Sequence, residues 1–385
     1  MPDTVMPSDR SLSALFKPGH VGALTTDNRI FMAPLTRSRS EADDNTQTAL
    51  HALYYAQRAS AGVIVSEATQ ISQQGQGYAW TPGIYTDEQV ESWKLVTDAV
   101  HNAGGRIFCQ LWHVGAISHP VFQPDGGQPV SASAWTPEGK AFVGDHHQDG
   151  PQVSFEQARA LRTDEIPGLI EDYRHAARCA AKAGFDGVEV HCANNYLIDQ
   201  FIRSETNHRD DDYGGSLQNR LRLMEEVVAA VCDELSPERV GVRLSPMGGP
   251  GGTSDAKPEE TYPEAAKILS GRGLAYLHVI RPNSHTGGEE GEKSDRIMKS
   301  MREAFDGFFI ANGNFEPDEA AQWISDDRAD GITFGRLFLA NPDLPERIAQ
   351  GGPYNDPDED TFYGGGAEGY TDYPTLEKVD DPLPA

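Results

Sequence analysis

Only 4 cysteines occur among the 385 residues, Cys109, Cys179, Cys192 and Cys232, and no two of them stand in a C-x-x-C spacing. That scarcity excludes a disulfide framework and a structural zinc site of the usual spacing, and it points to a reducing cytoplasm. Long apolar runs are lacking too. No stretch approaches the roughly 20 residues needed to cross a bilayer, and Met1 to His20 has no apolar core of the signal-peptide kind. A soluble chain with neither export nor membrane insertion is expected. Basic charge is short: 32 Lys and Arg face 59 Asp and Glu, a formal net charge of −27. Nucleic acid is therefore excluded as a partner. The acidic residues are spread along the chain, with clusters at Glu41–Asp44, Asp210–Asp212 and Asp356–Asp360, and Arg outnumbers Lys. An ordinary solvated surface accounts for that pattern, and so does adaptation to a halophilic, high-salt setting, where counterions screen the self-repulsion.

What the chain does have is alternation. Eight short β-rich runs are each followed by a polar turn: Arg29–Ala33, Gly62–Ser66, Arg106–Gln110, Gly187–His191, Val240–Leu244, Leu274–His278, Gly307–Ala311 and Gly331–Gly335. Helical spacing fills most intervals, at Glu88–Ala103, Glu165–Ala183, Leu217–Leu235, Glu259–Arg272, Asp295–Phe305 and Glu316–Asp326. Eight alternations favour a (β/α)8 TIM barrel, an α/β fold, as one domain over residues 1–385. An open doubly wound sheet is the competitor, but the first strand-turn carries no G-x-G-x-x-G to hold a dinucleotide. A segment of about 112–163 after the third strand stands where a lid over the barrel mouth belongs. The tail of about 351–385 carries Phe362, Tyr363, Tyr370 and Tyr373, which predicts that it docks.

In a barrel the strand C-termini build the site. Thr36, Gln110, His191, Asn194, Arg243 and Arg336 follow or close β-runs. Singly, each has a structural explanation as a cap or a satisfied core group. Together, without a ligand, each group left unpaired costs about 1–3 kcal/mol. The seventh strand leads into Asn312-Gly-Asn314 and the eighth into Gly335-Arg336, places where barrel loops hold a phosphate. In the run His191–Tyr196 (HCANNY), His191 and Asn194 stand three apart, so a first helical turn lets both donate to one substrate oxygen, with Tyr196 near as a proton donor.

The runs Asn28–Arg37 (NRIFMAPLTR), Tyr54–Gly62 (YYAQRASAG), Ser66–Thr69 (SEAT), Gln110–His113 (QLWH), Asp212–Arg220 (DYGGSLQNR) and Phe362–Pro374 (FYGGGAEGYTDYP) resemble the Old Yellow Enzyme family. The likeness spans about Leu15 to Pro374 and is strongest to the bacterial group that contains morphinone reductase and pentaerythritol tetranitrate reductase. It implies a non-covalent FMN, with NADH or NADPH as hydride donor and an activated alkene (an enone, enal, maleimide or nitroalkene) as acceptor. By resemblance, Pro34, Leu35, Thr36 and Ala68 lie along the flavin and Gln110 binds its polar edge. Arg243 sits by N1 and O2, and Gly313, Asn314, Gly335 and Arg336 hold the phosphate. His191 and Asn194 bind the substrate's carbonyl or nitro oxygen, Tyr196 protonates its α-carbon, and Tyr78, Trp112 and Phe362 wall the pocket. The chain departs from the family at Cys192 and Asn195, where glycine is frequent, which bears on substrate range. Nitro or nitrate-ester reduction is a variant within the family. A metal-dependent hydrolase using His113, His191 and His278 is the alternative from another class. It lacks a His-x-His at the first strand, and no metal is expected. A monomer or a homodimer fits.

Overall fold

Eight parallel strands pair in sequence order and close on themselves, β8 returning to β1. They are β1 (Ile30–Met32), β2 (Ile64–Gln70), β3 (Ile107–Trp112), β4 (Gly187–Cys192), β5 (Val240–Leu244), β6 (Tyr276–Ile280), β7 (Phe309–Asn312) and β8 (Gly331–Phe334). This computed structural model describes residues 10–144, 152–282 and 289–376. Residues 145–151 of the expected lid, 377–385 of the tail and the first nine residues lie outside the described ones. The expected barrel is present, and each of the eight β-runs supplies one strand. Every residue of β2, β3, β4 and β5 is buried. A sheet covered on both faces demands near-continuous apolar runs rather than alternation, and that is the pattern in the sequence.

The helices are α1 (Ala49–Ala56), α2 (Asp87–Asn102), α3 (Ile166–Lys182), α4 (Leu197–Ile202), α5 (Leu217–Leu235), α6 (Pro258–Leu269), α7 (Glu289–Ala304), α8 (Pro317–Ser325), α9 (Arg336–Ala340) and α10 (Leu344–Gln350). Six match the helical spacings; α7 begins six residues earlier than Asp295, and α1, α4, α9 and α10 were not expected. Their starts are written locally. Thr86 Oγ1 accepts the Gln89 N–H at 3.2 Å while Gln89 Oε1 accepts the Thr86 N–H at 3.2 Å, a reciprocal cap on α2. Ser216 Oγ caps α5 by accepting from the Asn219 N–H at 3.2 Å.

At the N-terminal end of the barrel the hairpin Gly19–Val21 and Leu24–Thr26 brings Val21 against Phe31, Val63, Phe108 and Tyr276, all buried. Apolar side chains thus plug this end, and chemistry is left to the other. The segment after β3 contributes a short hairpin, Lys140–Phe142 with Gln152–Ser154, and Phe142 meets Trp80 of the β2 loop edge-on at 5.4 Å. The tail docks on the loop after β1. Arg37 Nε donates to Phe362 O at 2.9 Å and its Nη2 to Gly369 O at 2.7 Å, while Arg39 Nη2 donates to Thr361 O at 3.0 Å. Tyr370 stacks on Tyr54 of α1 with ring centroids 4.0 Å apart.

Candidate active site

The end of β4 and the turn after it carry the most pointed residues. His191 is still strand, and α4 begins at Leu197. The expectation that His191 and Asn194 share a first helical turn is therefore corrected. Asn194 and Asn195 take left-handed backbone angles, φ 56° and 58°, and turn the chain sharply between strand and helix. Asparagine tolerates that region where most side chains do not. The turn is held by the Asn194 N–H donating to Ser245 Oγ at 2.6 Å and by the Tyr196 N–H donating to Ala193 O at 3.2 Å.

Tyr196 stands in an aromatic cluster. Its ring meets Trp112 edge-on at 5.0 Å and His191 at 5.1 Å, and its hydroxyl hydrogen-bonds that of Tyr78 at 3.1 Å. Tyr78 in turn stacks on Trp112 at 5.4 Å. Ala68 belongs to the same apolar group with Trp112, Val114 and Ile117. Burial, with Tyr78 and Tyr363 adding to it, pushes the Tyr196 phenol well above its ordinary range, so it carries its proton at neutral pH. Burial also pushes Tyr78 up to about 12.

His191 accepts the Ala193 N–H on Nδ1 at 3.2 Å. Burial, and then the Arg243 charge, bring its pKa down to about 3. The ring is therefore neutral with its proton on Nε2, a hydrogen-bond donor. His113 repeats the arrangement: Nδ1 accepts the Gly115 N–H at 3.1 Å, and burial lowers its pKa to about 3.

Below them a polar network crosses the barrel. Gln110 Nε2 donates to Glu189 Oε1 at 2.6 Å, and His278 Nδ1 meets Glu189 Oε2 at 2.8 Å while its Nε2 meets Thr333 Oγ1 at 2.9 Å. Arg243 Nη2 donates to Asn312 Oδ1 at 2.9 Å, and Asn312 Nδ2 donates to Thr333 O at 3.1 Å. With both nitrogens engaged, His278 is not free to bind a metal, and among the described residues no group of three His, Cys, Asp or Glu is placed to hold one. The hydrolase alternative is not favoured.

The loops after β1, β7 and β8 form the remaining side. Pro34, Leu35 and Thr36 are half-buried, and a Cβ on Gly335 would lie 3.4 Å from Leu35 Cδ2. Gly313 has φ 129°, and a Cβ there would come within 2.7 Å of Arg281 Cγ. Arg281 Nε donates to Gly313 O at 2.6 Å and Nη2 to Asn314 O at 3.1 Å, fixing this turn from beneath. Arg336 opens α9, is exposed, and lies 3.5 Å from Glu359 and 5.9 Å from the Phe362 ring. Phe362 thus groups with Arg336, whereas Tyr78, Trp112, His191 and Tyr196 group with one another. The Glu189 carboxylate, which accepts from Gln110 and meets His278, is a part of the polar network that the sequence does not single out. Glu189 sits mid-strand beside His191, and that polar pair inside an apolar run was the available signal.

These residues fit a flavin mononucleotide. Arg243 Nε and Trp112 Nε1 are buried without a protein partner, and the Gly313 turn admits no side chain. A polar planar ring system with a phosphate tail satisfies both features. The sequence profile described as the NADH:flavin oxidoreductase / NADH oxidase family matches residues 14–355. The chain belongs to this family, the Old Yellow Enzyme family. Morphinone reductase, solved in complex with tetrahydroNAD, is 49% identical with a TM-score of 0.88, covering 96% of this chain and 99% of that one. The Old Yellow Enzyme homologue of Zymomonas mobilis is 44% identical with a TM-score of 0.88 over 94% of this chain and 99% of its own. Among sequences, 12-oxophytodienoate reductase 2 of Arabidopsis thaliana is 44% identical over 368 residues, 95% of this chain and 96% of its own length. Like other members of the Old Yellow Enzyme family, the protein is an FMN-dependent ene-reductase that draws on a nicotinamide coenzyme.

Proposed function

We propose that the Tyr78–Trp112–His191–Tyr196 group is the place where an activated alkene is reduced, and that the neighbouring strand ends hold FMN. The observation that carries this reading is the geometry of the Tyr196 hydroxyl, hydrogen-bonded to that of Tyr78 at 3.1 Å with the His191 ring 5.1 Å from its own, while burial keeps the phenol protonated. When bound there, FMN would supply the hydride chemistry, with NADH or NADPH as the donor and the β-carbon of the alkene as the acceptor. The His191 Nε2–H and the Asn194 side chain bind the carbonyl or nitro oxygen and draw electron density from that carbon. Tyr196 then delivers its proton to the α-carbon. Tyr78, Trp112 and Phe362 shape the walls and exclude water.

The cofactor is assigned to Pro34, Leu35, Thr36, Ala68 and Gln110 along the ring and its polar edge. Arg243 is assigned to the N1 and O2 edge of the ring, where its cation would stabilise negative charge. Gly313, Asn314, Gly335 and Arg336 take the phosphate, the last two at the start of α9. The whole chain acts as one domain with the segment after β3 as lid, a monomer or homodimer in a reducing cytoplasm.

A visible spectrum tests the reading. The purified protein should show a flavin band that bleaches with anaerobic NAD(P)H and returns with 2-cyclohexenone; a colourless protein that FMN cannot reconstitute refutes it. The net charge of −27 further supports adaptation to salt, for which melting temperature should climb between low and molar KCl; a flat response refutes that part.

A further inference from the structure

Asn195 plays no part in the chemistry above, yet it is fully buried, left-handed, and bonded on three sides. Its N–H donates to Asp199 Oδ2 at 2.7 Å, its carbonyl accepts from Gln200 Nε2 at 2.7 Å, and its Nδ2 donates to Pro250 O at 2.8 Å. Pro250 lies in the loop 245–253 that leaves β5. Arg203, buried and paired with Asp199 at 2.8 Å, grips the same loop by donating to Gly248 O at 2.6 Å and Thr253 O at 2.7 Å.

The loop is pressed close on two sides. Gly249 has φ 129°, and a Cβ there would stand 2.9 Å from the Asn194 carbonyl carbon. On Gly251 a Cβ would stand 2.8 Å from Ile117 Cδ1 and 3.0 Å from Trp135. Ile117 and Trp135 belong to the cluster that contains Trp112, Tyr78 and Tyr196. The loop therefore spans from the Asn194 turn to the aromatic wall, and Asn195 ties its middle to that turn.

We propose that Asn195 is a specificity-determining positioning residue: through Pro250 it keeps the loop 245–253 closed over the Asn194 side of the pocket and so limits the width of alkene admitted. The substrate half of this inference rests on the ene-reductase reading; the tether itself rests on the contacts. A small cyclic enone is bound with the loop in place, whereas an enone within a fused four-ring skeleton displaces the loop and must break the Asn195–Pro250 bond. Asn195→Gly removes that bond while keeping a backbone for which φ 58° is unstrained.

The test compares wild-type and Asn195→Gly holoenzymes with 2-cyclohexenone and a tetracyclic enone, alongside amide exchange across 245–253. Removing one net hydrogen bond from the cost of opening predicts a rise of about fivefold to tenfold in kcat/KM for the tetracyclic enone, carried by KM, against a change under about twofold for 2-cyclohexenone. Loop amides should exchange faster in the variant. An equal change for both enones, or unaltered loop exchange, overturns the proposal. If the wild type reduced neither enone, the ene-reductase reading would fall, and the exchange comparison would still decide the tether.

Discussion

Replacing Tyr196 with Phe removes one oxygen and keeps the ring that packs against Trp112 at 5.0 Å and His191 at 5.1 Å. Substrate binding should change little, because the donors assigned to the substrate oxygen, His191 and Asn194, are untouched. What is lost is the proton. A positioned general acid contributes about 10²–10⁴ in rate, which at 1.36 kcal/mol per decade is roughly 3–5 kcal/mol of barrier. The stability cost is far smaller: Tyr78 loses a neutral partner at 3.1 Å, a net loss of about 1 kcal/mol. Anaerobic stopped-flow spectroscopy separates the half-reactions. Flavin reduction by NAD(P)H should keep its rate, and reoxidation by 2-cyclohexenone should slow by about 10²-fold or more. Equal slowing of both, or reoxidation slowed less than about tenfold, refutes Tyr196 as the proton donor.

Three further outcomes follow from the geometry. Arg243→Met deletes a buried cation whose Nε lacks a protein partner, so FMN affinity measured by fluorescence quenching should fall by about 10–100-fold, the worth of charged hydrogen bonds. Gly313→Ala places a Cβ 2.7 Å from Arg281 Cγ at φ 129°, and it should weaken FMN binding and lower Tm together; unchanged affinity argues against the phosphate role. Burial pushes the Glu67 carboxyl up from 4.5 to about 7, against the opposing pull of the Arg37 N–H and charge. The folded state then holds a proton that the unfolded state releases between those values, so stability should fall as pH rises from 4.5 through 7, by about 3 kcal/mol in all. Urea unfolding of Glu67→Gln should lack that slope, and a matching slope in the variant refutes the assignment.

The barrel was legible because a parallel sheet buried on both faces needs apolar runs, and eight such runs stand between turns and helical spacings. The residues at their ends were legible for the complementary reason that polar side chains do not close apolar strands without a partner. Short helices were not: α1, eight residues long, reads as a fragment until its buried His51 and Tyr54 meet Tyr370 of the tail. The spacing of His191 and Asn194 suggests a helical turn, yet two left-handed asparagines, which no periodicity announces, make it a sharp turn between strand and helix. The tail is held against the loop after β1 because Arg37 and Arg39 bind the main-chain carbonyls of residues 361–369, contacts that carry no side-chain pattern in the tail. The reach of Asn195 to Pro250 likewise joins residues 55 apart in the chain. Hydrophobic patterning determined which residues form the strands, and the polar residues that follow those runs marked the end at which the candidate site lies. The grouping of donors, the neutral state of His191 and the grip on the β5 loop were decided by the tertiary structure, because burial and hydrogen bonding between distant segments exist only once the chain has closed.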